Sequence, residues 1–261
     1  MKNAGQRIAM LTAYDAGAAS LAERAGAPVL LVGDSVGMVV HGFDTTLPVT
    51  LDMMAAHSAA VVRGSSEALV VADLPFLTYS DEATAIASAG RLFREAGVGA
   101  VKLEGGAEIA AVVARLVQLG MPVMGHLGYT PQSTHLIGLK VQAKAPDAAA
   151  KLIADAVALQ EAGTFAIVLE LIPADLAAQV TARLDIPTIG IGAGAGCDGQ
   201  VQVWHDVLGL YPTAPRHARR FGEIGNAIEA ALRDYVQAVQ AGTFPSRPAT
   251  PPVPAKPVSV I

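Results

Sequence analysis

Eight short apolar runs recur along the chain with helical segments between them, and this alternation limits the fold more than any other feature. Each run is short, rich in branched residues and closed by glycine, proline or a charged residue, as buried strands are. Strands that alternate with helices pair in parallel through right-handed crossovers. The predicted strands are residues 8–14, 29–35, 69–76, 99–104, 122–127, 165–172, 187–191 and 201–204.

The segments between the runs have helical spacing and recognisable end signals. Gly26 follows the first helix where a C-terminal glycine is favoured. Thr50 and Ser80 are predicted N-terminal caps, because their hydroxyls can accept from free main-chain N–H groups. The predicted helices are residues 18–25, 51–63, 81–96, 108–119, 147–162, 175–184 and 219–240.

A closed (β/α)8 TIM barrel accommodates all eight strands without leaving a sheet edge, and 261 residues suit one such domain. An open doubly wound sheet is the alternative that the strand count disfavours. We expect a barrel domain with its C-terminal helix over residues 1–241. Residues 242–261 contain six prolines and are predicted to form an extended or disordered tail.

Composition excludes several classes of function. The net charge of −5 disfavours nucleic-acid binding, which usually needs a basic face. A single cysteine, Cys197, cannot form an intrachain disulfide and fits a reducing compartment. The N-terminus lacks the pattern of a secretory signal, and the sequence lacks a long uncharged apolar run that could span a membrane. The sequence therefore indicates a cytoplasmic enzyme.

Ionisable residues fall at the ends of five predicted strands. In a barrel these ends share one mouth, where catalytic groups of such enzymes lie. A single acid at a strand end more often caps the next helix, but that explanation does not suit the whole set. The candidates are Asp34, Asp73, Lys102, Glu104, His126 and Glu170.

Three of these candidates predict a metal site. The carboxylates Asp34, Asp73 and Glu104 would repel one another around one point unless a cation lay between them. Oxygen ligands without cysteine or histidine pairs favour Mg²⁺. Lys102 adds a positive charge that suits an anionic substrate such as a carboxylate, although it could instead only pair with Glu104 or another neighbour.

Three further features leave alternatives open. Glu170 ends an apolar strand, where desolvation would suit a general base, but a metal ligand or a satisfied core acid is also possible. His126 could bond substrate, orient a neighbour or be purely structural. The glycines within residues 192–196 could approach a phosphate or allow close packing, and no P-loop pattern follows them.

These residues lie in motifs that resemble the ketopantoate hydroxymethyltransferase family. The resemblance extends from about residue 8 to residue 244, and its motifs occur in the family's order. They include Gly-Asp-Ser-Val-Gly-Met at 33–38, Ala-Asp-Leu-Pro-Phe at 72–76, Val-Lys-Leu-Glu-Gly-Gly at 101–106 and Gly-His-Leu-Gly-Tyr-Thr-Pro-Gln-Ser at 125–133. Others lie at 45–50, 169–170, 189–194, 198–200 and 205–206.

The resemblance implies transfer of a hydroxymethyl group from 5,10-methylenetetrahydrofolate to 3-methyl-2-oxobutanoate, giving 2-dehydropantoate in the first step of pantothenate synthesis. By resemblance, Asp34 and Asp73 hold Mg²⁺ and contact the substrate, and Glu104 supports the metal site. Ser35 and Lys102 contact the keto acid, and Glu170 is the proton acceptor. The family is also homo-oligomeric, typically a decamer.

One departure concerns the loop 134–144, which is shorter and less glycine-rich than is usual in the family. This difference puts its pterin contacts in doubt, whereas none of the candidate catalytic positions is altered. Two alternatives remain. A related Mg²⁺-dependent barrel lyase would use a catalytic cysteine loop, which we do not find, and would not need folate. A non-catalytic scaffold would have disrupted site residues.

Overall fold

Eight parallel strands close into a barrel in their order along the chain. The structure, a computed structural model, describes residues 1–213 and 215–246. The predicted (β/α)8 fold is therefore confirmed. The strands are β1 Ile8–Thr12, β2 Val29–Val32, β3 Leu69–Asp73, β4 Ala100–Glu104, β5 Val123–Gly128, β6 Ala166–Glu170, β7 Thr188–Ile191 and β8 Gly199–Gln202.

Helices connect the strands and cover the outside of the barrel. Short 3-10 turns at Lys2–Ala4, Ala107–Ile109 and Pro131–Ser133 supplement them. The helices are α1 Ala16–Arg24, α2 Val36–Val39, α3 Leu51–Gly64, α4 Glu82–Arg91, α5 Ala110–Gln118, α6 Thr134–Ile137, α7 Pro146–Glu161, α8 Ala174–Arg183, α9 Trp204–Leu208 and α10 Ile224–Gln240.

The strands are apolar on both faces, as parallel strands buried between two layers must be. Side chains such as Met10, Val71 and Met124 fill the barrel interior. Neighbouring residues of the same strands, such as Val70 on β3 and Val123 on β5, pack outward against the helices. Because the eight strands are parallel, their carboxyl ends meet in one mouth.

Several predicted boundaries are corrected by the structure. The eighth strand was expected at 201–204 but begins at Gly199, where a Cβ would lie 2.4 Å from the Ile8 carbonyl oxygen. A glycine that resembles a turn residue in sequence thus permits close strand pairing. The last helix starts at Ile224 instead of residue 219. Helix α4 changes at its end into one π-helical turn, Leu92–Ala96.

One of the two predicted N-terminal caps is confirmed and the other is wrong. The side chain of Thr50 accepts from the main-chain N–H of Met53 and caps α3. The cap of α4 is Asp81, not Ser80, because its carboxylate accepts from the N–H of Thr84 at 3.0 Å. A carboxylate at this position is also favoured by the helix dipole.

The glycines after β7 allow close packing with α8. A Cβ at Gly194 would lie 2.4 Å from Cβ of Ala174, and one at Gly196 would lie 2.8 Å from Cβ of Ala178. The close-packing interpretation of this segment therefore accounts for the two glycines.

The proline-rich tail predicted over 242–261 falls mostly outside the described residues, which end at 246. In the ranges 1–213 and 215–246, no helix combines the length and apolar character that crossing a bilayer requires.

Candidate active site

The six ionisable residues predicted from strand ends meet in the barrel mouth. Strand β6 ends with Glu170, whose side chain is 14% exposed. The other five side chains are buried, at 6% exposure or less. All six line one cavity of about 680 Å³, together with Ser35: Asp34 after β2, Asp73 on β3, Lys102 and Glu104 on β4, His126 on β5 and Glu170 on β6.

Lys102 is the central cation of the mouth. Its Nζ lies 3.0 Å from Asp73 Oδ1 and 4.0 Å from Glu104 Oε1. Burial alone would favour the neutral amine, but the charges of these carboxylates and of Asp34 raise the pKa of Lys102 above its ordinary value. The lysine is therefore a fixed positive charge, and its nearest carboxylate is Asp73.

The acids at the ends of β2 and β3 form a second part of the site. Asp73 Oδ2 accepts the main-chain N–H of Asp34 at 3.0 Å. Burial, followed by the negative charges of Asp73 and Glu104, raises the pKa of Asp34 well above its ordinary value. Burial also raises the pKa of Asp73, although Lys102 opposes this effect. One lysine thus faces more carboxylates than it can neutralise.

His126 lies between two carboxylates on neighbouring strands. Its Nδ1 is 3.3 Å from Glu104 Oε1, and its Nε2 is 3.2 Å from Glu170 Oε2. Although burial and Lys102 favour the neutral ring, contacts with both glutamates raise the pKa of His126 to about 9. Burial would favour the protonated Glu104, but His126 holds the pKa of that carboxyl below its ordinary value. The histidine therefore lies close to two acids, and its Nδ1 also lies 3.1 Å from Lys102 Nζ.

Ser35 follows Asp34 at the rim of the same cavity. Its Oγ lies 2.8 Å from the hydroxyl of Tyr14, the first residue of the site that sequence reasoning missed. A Cβ at Gly33 would lie 2.7 Å from Ser35 Oγ, so a larger residue would displace the serine. Glycine is thus required here for close approach.

Gln132 and Tyr79 were also missed as site residues. Gln132 donates through Nε2 to Asp34 Oδ2 at 2.8 Å, and Tyr79 donates to Gln132 Oε1 at 2.6 Å. Gln132 belongs to the motif at 125–133 quoted above, so its place in that motif was the available signal. Tyr79 lies in a loop and gave no comparable signal.

The acids fit a hard divalent cation through their charge and donor atoms. Asp34 and Asp73 offer buried carboxylate oxygens and carry negative charge that Lys102 only partly balances. Across residues 1–213 and 215–246, no three His, Cys, Asp or Glu side chains converge as a ready metal-binding group. Two carboxylates completed by substrate and water suit Mg²⁺, which rarely uses an all-protein cage.

Comparisons with known proteins identify the family. The family model described as ketopantoate hydroxymethyltransferase matches residues 1–247. A 3-methyl-2-oxobutanoate hydroxymethyltransferase of Gluconacetobacter diazotrophicus is 71% identical over 94% of this chain and 90% of its own length. The enzyme of the same name from Chloroflexus aggregans is 60% identical over 94% of this chain and 88% of its own.

Solved structures share the fold at low identity. A 2,3-dimethylmalate lyase, described as a PEP mutase/isocitrate lyase superfamily member, has a TM-score of 0.59 and 19% identity, covering 97% of this chain and 89% of its own. A phosphonopyruvate hydrolase in complex with oxalate and Mg²⁺ has a TM-score of 0.62 and 12% identity, covering 96% and 88%. These likenesses establish the barrel alone, whereas the sequence matches establish descent: the chain belongs to the ketopantoate hydroxymethyltransferase family.

Proposed function

We propose that the barrel mouth performs hydroxymethyl transfer to 3-methyl-2-oxobutanoate with Glu170 as the base and Lys102 as the binding cation. Family membership gives the activity, 3-methyl-2-oxobutanoate hydroxymethyltransferase in pantothenate biosynthesis. The observation that supports the residue roles is the division of one cavity into two sides. Asp34, Asp73 and Lys102 lie on one side, and Glu170 lies on the other beyond His126.

The first side suits the keto acid. Asp34 and Asp73 would hold Mg²⁺, with Glu104 in support through His126 and the loop after β5. Bound there, the ion would supply a Lewis acid for the oxygens of a 2-keto acid. Lys102 would supply positive charge for the substrate carboxylate, and the hydroxyl of Ser35 would offer a hydrogen bond in the same cavity. The proposal requires C3 of the bound keto acid to face Glu170 at the end of β6.

The second side suits proton removal. Glu170 accepts the C3 proton, and the electron pair left on that carbon bonds to the methylene carbon of 5,10-methylenetetrahydrofolate. Both bonds from this carbon to the folate nitrogens break, and water supplies the hydroxyl group of the product. The C3 proton and one proton of the water pass to the two nitrogens, so tetrahydrofolate leaves. His126 contacts Glu170 Oε2 through Nε2, so it holds the base in one orientation. The charge of Lys102 favours the negative charge that develops on the substrate. His126 therefore acts on Glu170 and Glu104, while substrate contact by His126 stays a prediction.

The outer half of the cavity suits the second substrate, 5,10-methylenetetrahydrofolate. Aromatic side chains of Phe43, Tyr129 and Tyr211 line its walls, as a flat ring system requires. Leu139 of the loop 134–144 also reaches the cavity but is 73% exposed. A bound pterin would cover this leucine, which gives the short loop a contact despite its few glycines.

Helix α10 supports the expected homo-oligomer. It has no buried residue, yet apolar side chains repeat along it at helical spacing. Such a face on an isolated chain usually marks an association surface. The decamer implied by the resemblance stays a prediction. The exposed residues of this face are Ile224, Ile228, Leu232, Tyr235, Val236 and Val239.

Two measurements test the proposal. Purified protein with Mg²⁺, methylenetetrahydrofolate and 3-methyl-2-oxobutanoate should form 2-dehydropantoate, and its absence would refute the function. In heavy water without folate, Glu170→Gln should abolish exchange of the C3 proton, followed by NMR, while binding of the keto acid stays within about threefold. The matched control is Glu161→Gln on the exposed end of α7. Exchange at the wild-type rate in Glu170→Gln would remove Glu170 from the role of base.

A further inference from the structure

Gln132 connects two of the acids in the mouth with the loop after β5. It lies in the turn Pro131–Ser133 and is only 6% exposed. Its main-chain N–H donates to Glu104 Oε2 at 3.0 Å. Its side chain donates to Asp34 Oδ2 at 2.8 Å and to the main-chain oxygen of Leu74 at 2.9 Å. One residue therefore contacts both acids and the end of β3.

The orientation of this amide follows from its partners. The carbonyl of Leu74 can only accept, so the nitrogen of Gln132 must face it. The hydroxyl of Tyr79 donates to the oxygen of the same amide at 2.6 Å. Because the oxygen and the nitrogen of the Gln132 amide are both assigned, the second N–H of that nitrogen points to Asp34 Oδ2. The amide cannot flip without losing hydrogen bonds in a buried site, which is costly.

The hydrogen bond from Gln132 to Asp34 Oδ2 leaves the second carboxylate oxygen, Oδ1, available for a ligand. Asp34 Oδ2 is occupied by Gln132, and within the described part of the chain no donor bonds to Asp34 Oδ1. A carboxylate with one oxygen fixed by an amide loses its freedom to rotate. Amides of this kind, which bond a ligating carboxylate from behind, set its direction and basicity.

We propose that Gln132 is a positioning residue for the transfer reaction, which fixes the Asp34 carboxylate for the cation and the keto acid and is itself held by Tyr79. This inference rests on the proposed function, because that function assigns Asp34 to the binding of Mg²⁺ and the keto acid. It also gives the loop after β5 a task, since movement of Pro131–Ser133 would release Asp34 and Glu104 together.

The experiment compares Gln132→Met, which keeps the side-chain length and removes the amide, with Gln160→Met. The control amide accepts from the N–H groups of Asp185 and Ile186, away from the mouth. Both variants therefore lose side-chain hydrogen bonds, although one of the two control bonds is exposed and the other is half-buried. Binding of Mn²⁺ in the presence of 3-methyl-2-oxobutanoate is measured by electron paramagnetic resonance. We expect Gln132→Met to bind Mn²⁺ about 10- to 100-fold more weakly and to lose kcat in proportion, as for other partners of metal ligands.

A second variant tests the same role if Gln132→Met does not fold. Tyr79→Phe leaves the bond between Gln132 and Asp34 but frees the other end of the amide. It should weaken Mn²⁺ binding in the same direction by a smaller factor, whereas Gln160→Met should bind as the wild type does.

The outcomes separate this inference from the proposed function. Wild-type protein that neither binds Mn²⁺ with the keto acid nor transfers the hydroxymethyl group would overturn both. Active wild-type protein with unchanged Mn²⁺ affinity in Gln132→Met and Tyr79→Phe would overturn the positioning role alone. A loss of thermal stability equal to that of Gln160→Met, with no change in affinity, would mean that Gln132 only supports the loop.

Discussion

The two ends of the barrel use polar residues in opposite ways. At the amino end of the strands the barrel interior is apolar, and an ion pair at its rim has several hydrogen-bond partners. Lys2 Nζ lies 3.0 Å from Asp198 Oδ2 and donates to the carbonyls of Thr181 and Ile186. Asp198 also accepts from the N–H of Thr188. This pair of opposite charges is balanced within the chain itself.

At the carboxyl end the charges are buried and only partly balanced. Asp34, Asp73 and Glu104 face one lysine, and the pKa of Asp34 is raised by burial and by the neighbouring acids. Such an arrangement lowers the free energy of unfolding, and a bound cation and substrate would raise it again. One end of the barrel therefore serves stability, and the other serves binding.

The largest expected effect comes from removing the cation at each end. Lys102→Met leaves buried carboxylates without their partner and should lower the free energy of unfolding by about 3–5 kcal/mol in metal-free protein. Lys2→Met removes a pair whose side chains are 20% and 19% exposed, but Asp198 keeps the N–H of Thr188 as a partner, so the loss should be smaller, about 1–2 kcal/mol. Urea unfolding measures both. Equal losses would show that the two ends do not differ in this way.

The next effect is a pH dependence confined to the mouth. The pKa of His126 is about 9 in the folded chain and near 6.5 when unfolded, so its charge stabilises the fold fully below pH 6.5. That contribution is lost as the pH rises through 9. Wild-type metal-free protein should therefore lose about 1–3 kcal/mol relative to His126→Gln between pH 6 and pH 10. A difference that stays constant with pH would contradict the protonated histidine.

The smallest effect has opposite signs at the two ends. Asp34→Asn removes a buried charge whose raised pKa reports an unfavourable setting, so metal-free protein should gain about 1 kcal/mol. The same variant should lose Mn²⁺ binding and activity. Asp198→Asn weakens a satisfied acid and should cost about 1 kcal/mol. Thermal unfolding measures the stability of both variants. Stabilisation by Asp198→Asn would contradict the difference between the two ends of the barrel.

Much of the architecture was predictable because it depends on local pattern. Apolar runs closed by a charged residue mark buried strands, and the six ionisable residues follow from the ends of those runs. The wrong predictions are local as well. Gly199 lies outside the predicted strand 201–204 because its role, close approach to β1, depends on a strand that is distant in sequence. Ser80 and Asp81 are both good caps, and only the start of α4 decides between them.

The barrel and the residues that reach its mouth follow from the amino-acid sequence, because alternating strands and helices place every strand end at one opening, and the sequence motifs identify the family. The pairing of these residues depends on the tertiary structure. Closure of the barrel sets His126 between Glu104 and Glu170 and brings Gln132 to Asp34, from which it is 98 positions distant in sequence. Such contacts depend on strand register and loop course, which a linear pattern does not encode.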